Sequence, residues 1–301
     1  MSYLPTLRQL QFLCALADHG TFSRAAEACL VAQPTLSAAI REIEGALGTQ
    51  LVERGARGIQ LTQSGAAAVA RARRILAETE DLVAEAREAG APLTGPFRLG
   101  AIPTLAPYVL PPALRALRET YSDLRLYLRE DKTADLLEGL RARQLDAAII
   151  ALPWATPGIE TELIADDVFL LAVPDGHPLG EVPHLSPADL IGEQVLLLEE
   201  GHCLRGHAEA VCSLPGIQRS EGLSATSLPT MIQMVGGGLG ISLVPRIAAE
   251  AGETAGTGVT LRPFSDEVPG RQIAIAWRAG SSREDEVRLI GGVLREAVCR
   301  P

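Results

Sequence analysis

Apolar residues recur at helical spacing along the first part of the chain. In "LRQLQFLCALADHG" five of them fall near one face of a predicted helix that ends at Gly20. These are Leu7, Leu10, Phe12, Leu13 and Leu16. A second, short helix is predicted in "TFSRAAEACL", with Thr21 or Ser23 as its N-cap.

A third helix is predicted in "VAQPTLSAAIREIEGALG", where Pro34 fits the first turn because its missing N–H is not needed there. The inner stripe of this helix is Leu36, Ile40, Ile43 and Leu47. Two short helices joined by a brief connection are typical of a helix-turn-helix. The outward face carries small or hydrogen-bonding residues suited to a DNA major groove: Gln33, Thr35, Ser37, Ala38 and Arg41. A solvated face of a helical hairpin is the alternative on this pattern alone.

The segment "LVERGARGIQLTQSG" places two short apolar stretches on either side of a glycine-rich turn. This pattern predicts a two-stranded wing with Arg54 and Arg57 near phosphates. Thr62 is expected to cap a long alanine-rich helix of about 28 residues, roughly 40 Å in length. That length favours a linker or dimerisation helix over part of a small domain. "APLTGP" (91–96) then marks a domain boundary.

Beyond this boundary, strand-like apolar runs alternate with helical segments. The runs are "FRLGAI", "LRLYLRE", "LDAAIIA", "VFLLAVP", "QVLLLEE", "GISLVP" and "RQIAIAWR". The alternation predicts an α/β architecture with a mostly parallel sheet flanked by helices. About 200 residues fit either one domain or two smaller lobes.

Charge is distributed unevenly along the chain. The net charge is −10, yet residues 1–75 hold eight arginines and five acids, a net of +3 that leaves −13 for the remainder. This asymmetry indicates a nucleic-acid module joined to an acidic body. There is no secretory signal pattern and no uncharged apolar stretch of 18 residues, so we expect a cytoplasmic protein without a membrane span. Five cysteines, an odd number, fit a reducing cytosol better than a disulfide scaffold.

The N-terminal 60 residues resemble the winged helix-turn-helix of LysR-type transcriptional regulators. The matching pieces are "HGTFSRAAE", "AQPTLSAAIREIE", "LG" followed by "LVER", and "LTQSG". Further along, "GAIPTLAPYVLPPAL" and "MVGGGLGISLVP" resemble the first strand–helix unit and a late glycine-rich turn of the family's second domain. The resemblance implies an α/β protein with a winged helix-turn-helix at 1–62, a linker or dimerisation helix at 63–91, and a regulatory domain at 92–301 like periplasmic binding proteins. Its lobes are expected at about 92–167 with 271–301, and at about 168–270.

The stretch "GHCLRGHAEAVC" from Gly201 to Cys212 resembles peroxide-sensing members of that family. A thiolate is the form of cysteine that attacks peroxide, and a nearby cation or helix N-terminus lowers the thiol pKa. His202 precedes Cys203, Arg205 follows two positions later, and the order of residues predicts a strand giving way to a helix at Cys203. We therefore expect Cys203 to be the peroxidatic cysteine.

The resemblance also implies that Cys212 resolves the sulfenic acid of Cys203 to a disulfide. If 203–212 is helical, nine residues place the two Cα atoms roughly 13 Å apart. A disulfide needs them within about 7 Å. Oxidation would therefore force this segment to refold. Buried structural roles are the alternative for the pair, and are expected for Cys14, Cys29 and Cys299.

The same resemblance assigns a peroxide pocket made of Thr104, Thr133, His202, Arg205 and Arg271. For the two threonines helix N-capping is the alternative, and for His202 it is the ordering of a loop. One departure is Gly206, where relatives carry an acidic residue after "GHCLR". A missing carboxylate at that position would alter the thiol pKa or the hydrogen bonds of the reduced state.

The implied function is a transcription regulator that senses hydrogen peroxide and controls antioxidant genes. Its DNA-binding residues are expected to be Gln33, Pro34, Thr35, Ser37, Arg41, Arg54, Arg57 and Thr62. Implied partners are double-stranded DNA, hydrogen peroxide, RNA polymerase and further copies of the chain in a homotetramer that is a dimer of dimers. We expect no metal and no cofactor, because no paired C-x-x-C accompanies His202, Cys203, His207 and Cys212. Alternatives are a LysR-type sensor of a small metabolite with passive cysteines, and a thiol peroxidase.

Overall fold

The computed structural model describes residues 4–55, 58–87, 92–201, 203–206, 218–265 and 270–299. The chain divides into two compact units. The first is Met1–Ala91 with Ala142–Gln144, and the second is Pro92–Arg141 with Leu145–Pro301.

The N-terminal unit begins with three helices, α1 (Leu7–His19), α2 (Phe22–Ala28) and α3 (Gln33–Leu47). Thr6 and Gln9 form a capping box on α1, and Gly20 ends that helix in the left-handed conformation. Thr21, rather than Ser23, caps α2. Most of the predicted inner-face residues form one core, but Leu10 packs with Cys14 and Ala72 in a separate small cluster, and Leu7 and Leu47 are 42 % and 49 % exposed. Each of these two exposed residues lies at the very end of its helix, where the neighbouring helices no longer cover it.

The predicted wing is present as two antiparallel strands, β1 (Val52–Gly55) and β2 (Gly58–Leu61). The long helix α4 (Gln63–Arg87) follows directly. Thr62 caps it as expected, since its Oγ1 accepts a hydrogen bond from the Gly65 N–H at 2.9 Å. A Cβ on Gly65 would lie 1.9 Å from the Leu51 carbonyl oxygen, so only glycine lets α4 approach the wing this closely.

The C-terminal unit alternates strands and helices. In chain order they are β3 (Gly95–Ala101), α5 (Ala106–Thr120), β4 (Leu124–Glu130), α6 (Thr133–Arg141), β5 (Ala147–Leu152), β6 (Ile159–Asp167), β7 (Phe169–Pro174), β8 (Gln194–Leu198), β9 (Gln218–Ala225), α7 (Leu228–Gly236), β10 (Ser242–Pro245), α8 (Arg246–Glu250), β11 (Val259–Pro263), β12 (Arg271–Arg278) and α9 (Glu284–Cys299). Short 3-10 turns lie at Pro178–Gly180 and Pro187–Leu190.

Two lobes with separate cores make up this unit. In lobe I a five-stranded sheet has the order β4-β3-β5-β12-β6. In lobe II β10-β7-β11 form an antiparallel sheet, and β8 pairs with β9 in parallel. Each lobe carries its own cluster of buried apolar residues.

The expected mostly parallel sheet is found for four strands of lobe I, β3, β4, β5 and β6, which share one direction, but not for β12. Strand β3 pairs in parallel with β4 and β5, but β12 runs antiparallel to both β5 and β6. The reason is that the chain returns from lobe II directly into β12, without a helical crossover within lobe I. Strand β12 therefore runs opposite to the strands that such crossovers connect. The sequence patterns also missed β6, β9 and β11, among which β6 and β11 are partly exposed strands with polar residues between the apolar ones.

Two crossings of the chain join the lobes. One lies between β6 and β7 at Val168, and the other leads into β12 at Gly270. The two crossings are adjacent, because Arg271 pairs with Asp167 in the sheet register. A Cβ on Gly270 would lie 2.7 Å from the Asp167 carbonyl oxygen, so glycine is needed for this close approach. Among helices in the part of the chain that the structure describes, none combines the length and apolar character needed to cross a membrane.

Candidate functional site

Cys203 lies at the junction between the two lobes. It follows β8 and lies in a helical turn that is described at 203–206, which agrees with the expected change from strand to helix. The Cys203 side chain is 5 % exposed and packs in the core of lobe I. The next residue, Leu204, is 2 % exposed and packs in the core of lobe II. Two consecutive residues, Cys203 and Leu204, therefore pack in the cores of different lobes.

Arg271, the first residue of β12, is fully buried and acts electrostatically on the Cys203 thiol. Its Nη1 donates to the Thr104 hydroxyl at 2.8 Å, and its Nη2 donates to the Thr104 carbonyl oxygen at 3.0 Å. Thr104 does not cap α5, since the N-cap residue is Leu105 and no side chain caps it. The capping interpretation of Thr104 is therefore wrong. Its hydroxyl instead connects the guanidinium of Arg271 to the region of the thiol.

Thr133 stands on the other side of Cys203 at the start of α6 and is 1 % exposed. Its hydroxyl comes close enough to the sulfur to lower the pKa of the Cys203 thiol. No described residue provides a hydrogen-bond partner for Thr133 Oγ1. A buried hydroxyl without a partner is costly in a folded protein, so this atom is available to a small polar ligand beside the sulfur.

Burial raises the pKa of the Cys203 thiol above its ordinary value. The Arg271 guanidinium opposes this most strongly, followed by Thr133, the Leu204 N–H and Thr104, all of which favour the thiolate. In this conformation desolvation of the Cys203 thiol outweighs the groups that favour its thiolate. The cation with the largest effect is Arg271, not the neighbouring Arg205, which is half-buried in the helical turn.

Asp167 fixes the position of Arg271. Arg271 Nε donates to Asp167 Oδ2 at 2.9 Å, and the other carboxylate oxygen accepts the Ile247 N–H of α8 at 3.1 Å. Tyr108 of α5 packs in the lobe II core, where burial and Glu253 raise the pKa of its phenol. The Asp167 carboxylate therefore links Arg271 to α8 beside the crossing between β6 and β7.

Three residues near Cys203 were not predicted from the sequence to belong to the site. These are Asp167, Tyr108 and Lys132, whose Nζ donates to the carbonyl oxygen of Glu200 in the turn before Cys203. The only available signals were the strand-end position of Asp167 and the uniqueness of Lys132 in the chain. Two expected site residues, His202 and Cys212, lie outside the described part of the chain. The described residues contain no cluster of three or more metal-ligating side chains.

In the N-terminal unit the predicted DNA-facing residues lie on one surface. Gln33, Pro34, Thr35 and Arg41 are exposed and Ser37 is half-exposed, all on α3 opposite the buried Leu36. The Thr62 hydroxyl is occupied within the fold, because it also donates to the Gln50 carbonyl oxygen at 2.8 Å. Arg57 and the side chain of Arg54 lie outside the described residues.

Comparison with known proteins covers both units. Residues 7–66 match the bacterial regulatory helix-turn-helix protein family of lysR type, and residues 90–299 match the LysR substrate binding domain. A probable hydrogen peroxide-inducible genes activator of Streptomyces viridosporus is 41 % identical over 298 residues, covering 98 % of this chain and 95 % of the relative. The DNA-binding transcriptional dual regulator OxyR of Escherichia coli K12 is 38 % identical over 289 residues, covering 96 % and 94 %.

Solved structures agree with these relatives. Full-length OxyR of Pseudomonas aeruginosa, with a cysteine-to-aspartate substitution, has a TM-score of 0.78 at 34 % identity, covering 97 % of this chain and 98 % of that one. A cysteine-to-serine mutant of Corynebacterium glutamicum OxyR, hydrogen peroxide-bound, has a TM-score of 0.68 at 34 % identity, covering 99 % and 94 %. The chain therefore belongs to the LysR family of helix-turn-helix regulators, among relatives that are hydrogen peroxide-inducible gene activators of the OxyR type.

Proposed function

We propose that the protein is a transcription regulator that senses hydrogen peroxide through Cys203. The observation that carries the proposal is the surroundings of the thiol, which is buried between Thr104 and Thr133 beside an arginine whose only described partners are Asp167 and Thr104. The relatives named as peroxide-inducible activators support the same function.

The proposed oxidation proceeds in two steps, formation of a sulfenic acid and formation of a disulfide. The Cys203 sulfur attacks one peroxide oxygen and the O–O bond breaks. The thiol proton leaves with the departing hydroxide, so Cys203–SH and H₂O₂ give Cys203–SOH and H₂O. The Cys212 sulfur then attacks the sulfenic sulfur and the S–O bond breaks. The Cys212 thiol proton leaves with the departing hydroxide, so Cys203–SOH and Cys212–SH give the disulfide and a second water.

Each pocket residue has a distinct part in the first step. The Thr133 hydroxyl, which has no partner in the described structure, binds the incoming peroxide next to the sulfur. Arg271 and Thr104 stabilise the thiolate as it forms, which offsets its burial. His202 and Arg205 complete the pocket in this proposal. Burial both raises the pKa of the Cys203 thiol and limits its access to bulky electrophiles.

Disulfide formation alters the contact between the lobes. If residues 203–212 are helical, Cys203 has to leave the lobe I core to bring its Cα within about 7 Å of Cys212. Leu204, one residue away, packs in the other core, so the two lobes lose a shared anchor. In a reducing cytosol the disulfide would be transient, as a sensor requires.

The proposed output is a change in DNA contacts. Residues 1–62 would bind double-stranded DNA, 63–91 would link and pair subunits, and 92–301 would sense peroxide. On α3, Gln33, Thr35, Ser37 and Arg41 would approach base edges with Pro34 at the helix start, while Arg54, Arg57 and Thr62 hold the backbone. The assembly would be a homotetramer, a dimer of dimers, that recruits RNA polymerase.

Thiol mass mapping tests the switch. Reduced protein is treated with one equivalent of hydrogen peroxide, quenched between sub-second and second times, alkylated and digested. We expect a loss of two mass units that maps to a Cys203–Cys212 bridge, absent in Cys203→Ser. Cys29→Ser is the matched control and should react like the wild type. Thiols that stay reduced at micromolar peroxide would contradict the proposal.

The protein acts as a switch in this proposal and not as an enzyme. Without a reductant, peroxide consumption should stop after one equivalent per chain, and with a thiol reductant it should be no faster than the separately measured rate of disulfide reduction by that reductant. Rapid, enzyme-like turnover of many equivalents per chain would instead indicate a thiol peroxidase. Titration of peroxide against protein with a reductant present measures this directly.

A further inference from the structure

Lys132 is the only lysine in the chain, and its ammonium group has a specific partner across the lobe junction. Its Nζ donates to the Glu200 carbonyl oxygen at 2.9 Å, 68 residues away in sequence. Glu200 belongs to the turn between β8 and Cys203. Lys132 therefore joins lobe I to the turn that carries the reactive cysteine.

The turn fits the lysine side chain closely. Gly201 has a φ of +91°, a left-handed conformation that favours glycine. A Cβ at Gly201 would lie 2.9 Å from Lys132 Nζ and 3.0 Å from its Cδ. The backbone of the turn thus packs directly on the lysine stem, and the contact is more than a single hydrogen bond.

Both ends of this contact are anchored. The Lys132 N–H donates to Asp131 Oδ1 at 2.9 Å, and Arg129 Nη2 holds Asp131 Oδ2 at 2.7 Å. The Lys132 carbonyl oxygen accepts the Leu136 N–H at 3.0 Å within α6. The turn is also held from the lobe II side, because the Glu199 N–H donates to the carbonyl oxygen of Ala225 in β9 at 3.0 Å.

We propose that Lys132 is a positioning residue that acts as a latch. It holds the Glu200–Gly201 turn in place and so stabilises the reduced, dithiol conformation of residues 203–212. It holds Cys203 against Thr133, the residue that follows Lys132 in the chain. It acts through its hydrogen bond and packing, since the guanidinium that most favours the thiolate is that of Arg271. This inference rests on the proposed disulfide switch.

The latch has a thermodynamic consequence. Refolding of the segment that begins at Cys203 pulls on the turn and breaks the Lys132 contact, so the contact stabilises only the dithiol form. Lys132→Met keeps most of the stem but removes the donor. We expect the reduced form of this variant to be disfavoured about 3- to 10-fold, which lowers the disulfide potential by roughly 15–30 mV. Lys132→Arg keeps a donor and should restore part of the shift.

Two measurements on the full chain test the latch. The first is equilibration with glutathione buffers to obtain the potentials of wild type, Lys132→Met and Lys132→Arg. Arg115→Met, which removes an exposed charge elsewhere in the same unit, is the matched control and should not shift. The second is amine acetylation of wild type, in which mass mapping compares Lys132 in the reduced and oxidised forms against the N-terminal amine. We expect labelling of Lys132 to rise at least threefold on oxidation, and not in peroxide-treated Cys203→Ser.

The outcomes separate the two proposals. A wild-type disulfide that forms normally, together with a Lys132→Met potential within 5 mV of wild type, would overturn the latch and leave the peroxide switch standing. If no Cys203–Cys212 disulfide forms in the wild type, the switch fails and the latch fails with it. A shifted potential in Lys132→Met but not in Arg115→Met supports the latch, since a general loss of charge would move both.

Discussion

Replacing Arg271 with methionine removes the charged centre of the lobe junction while keeping a long side chain. Three hydrogen bonds are lost, one to Asp167 at 2.9 Å and two to Thr104 at 2.8 and 3.0 Å. Both partners are buried. The Asp167 carboxylate keeps only the Ile247 N–H as a described hydrogen-bond donor.

The expected loss follows from this unpaired carboxylate. Removing one partner of a buried ion pair costs about 3–5 kcal/mol, because the remaining charge is stranded in a low-dielectric environment. For a unit of this size each kcal/mol shifts Tm by about 2–4 °C. We therefore expect Arg271→Met to lower the unfolding temperature of the C-terminal unit by about 10 °C.

Tryptophan fluorescence reports on that unit alone. The chain has two tryptophans, Trp154 and Trp277, and both lie beyond residue 92. Trp277 is buried on β12, the strand that Arg271 begins. Thermal and urea unfolding of the full chain, followed at this signal, give the stability difference without interference from the N-terminal unit.

Two controls make the result interpretable. Arg115→Met breaks an exposed pair four residues apart on α5 and should change stability by less than about 0.5 kcal/mol. Combining Arg271→Met with Asp167→Leu removes both charges and should recover part of the loss. A loss below about 1 kcal/mol in Arg271→Met, or no recovery in the double variant, would refute this account of the junction.

Three further predictions concern other sites. Burial raises the pKa of Cys14 to about 11, so the neutral thiol stabilises the folded state at neutral pH. This stabilisation is lost as the pH rises from about 9 toward 11, because the unfolded state then releases the proton first. The free energy of unfolding of Cys14→Ala should therefore fall less than that of the wild type over this pH range. Gly65→Ala should destabilise the N-terminal unit by about 1–3 kcal/mol by circular dichroism, whereas Gly45→Ala, which meets nothing within 4 Å, should be neutral or stabilising. Thr133→Val should slow thiol oxidation by peroxide about tenfold or more in stopped flow, Thr133→Ser should not, and equal rates would contradict a role in binding peroxide.

The elements that local patterns predicted are those whose stability is decided within a few residues. Helical spacing gave α1 and α3, the glycine turn gave the wing, and Thr62 was recognised as a cap from its position before an alanine-rich run. The change from strand to helix at Cys203 could also be predicted, because an apolar run is followed directly in the sequence by residues typical of a turn. These features need no knowledge of distant partners.

The sequence by itself determined the helical and wing elements and the change from strand to helix at Cys203. Only the tertiary structure decided the direction of β12, the ion pair between Asp167 and Arg271 and the tie from Lys132 to Glu200, which join residues 104 and 68 positions apart. It also decided that burial raises the pKa of Cys203, since desolvation depends on which side chains pack around the sulfur. Such effects arise from atoms brought together by folding, and no local spacing encodes them.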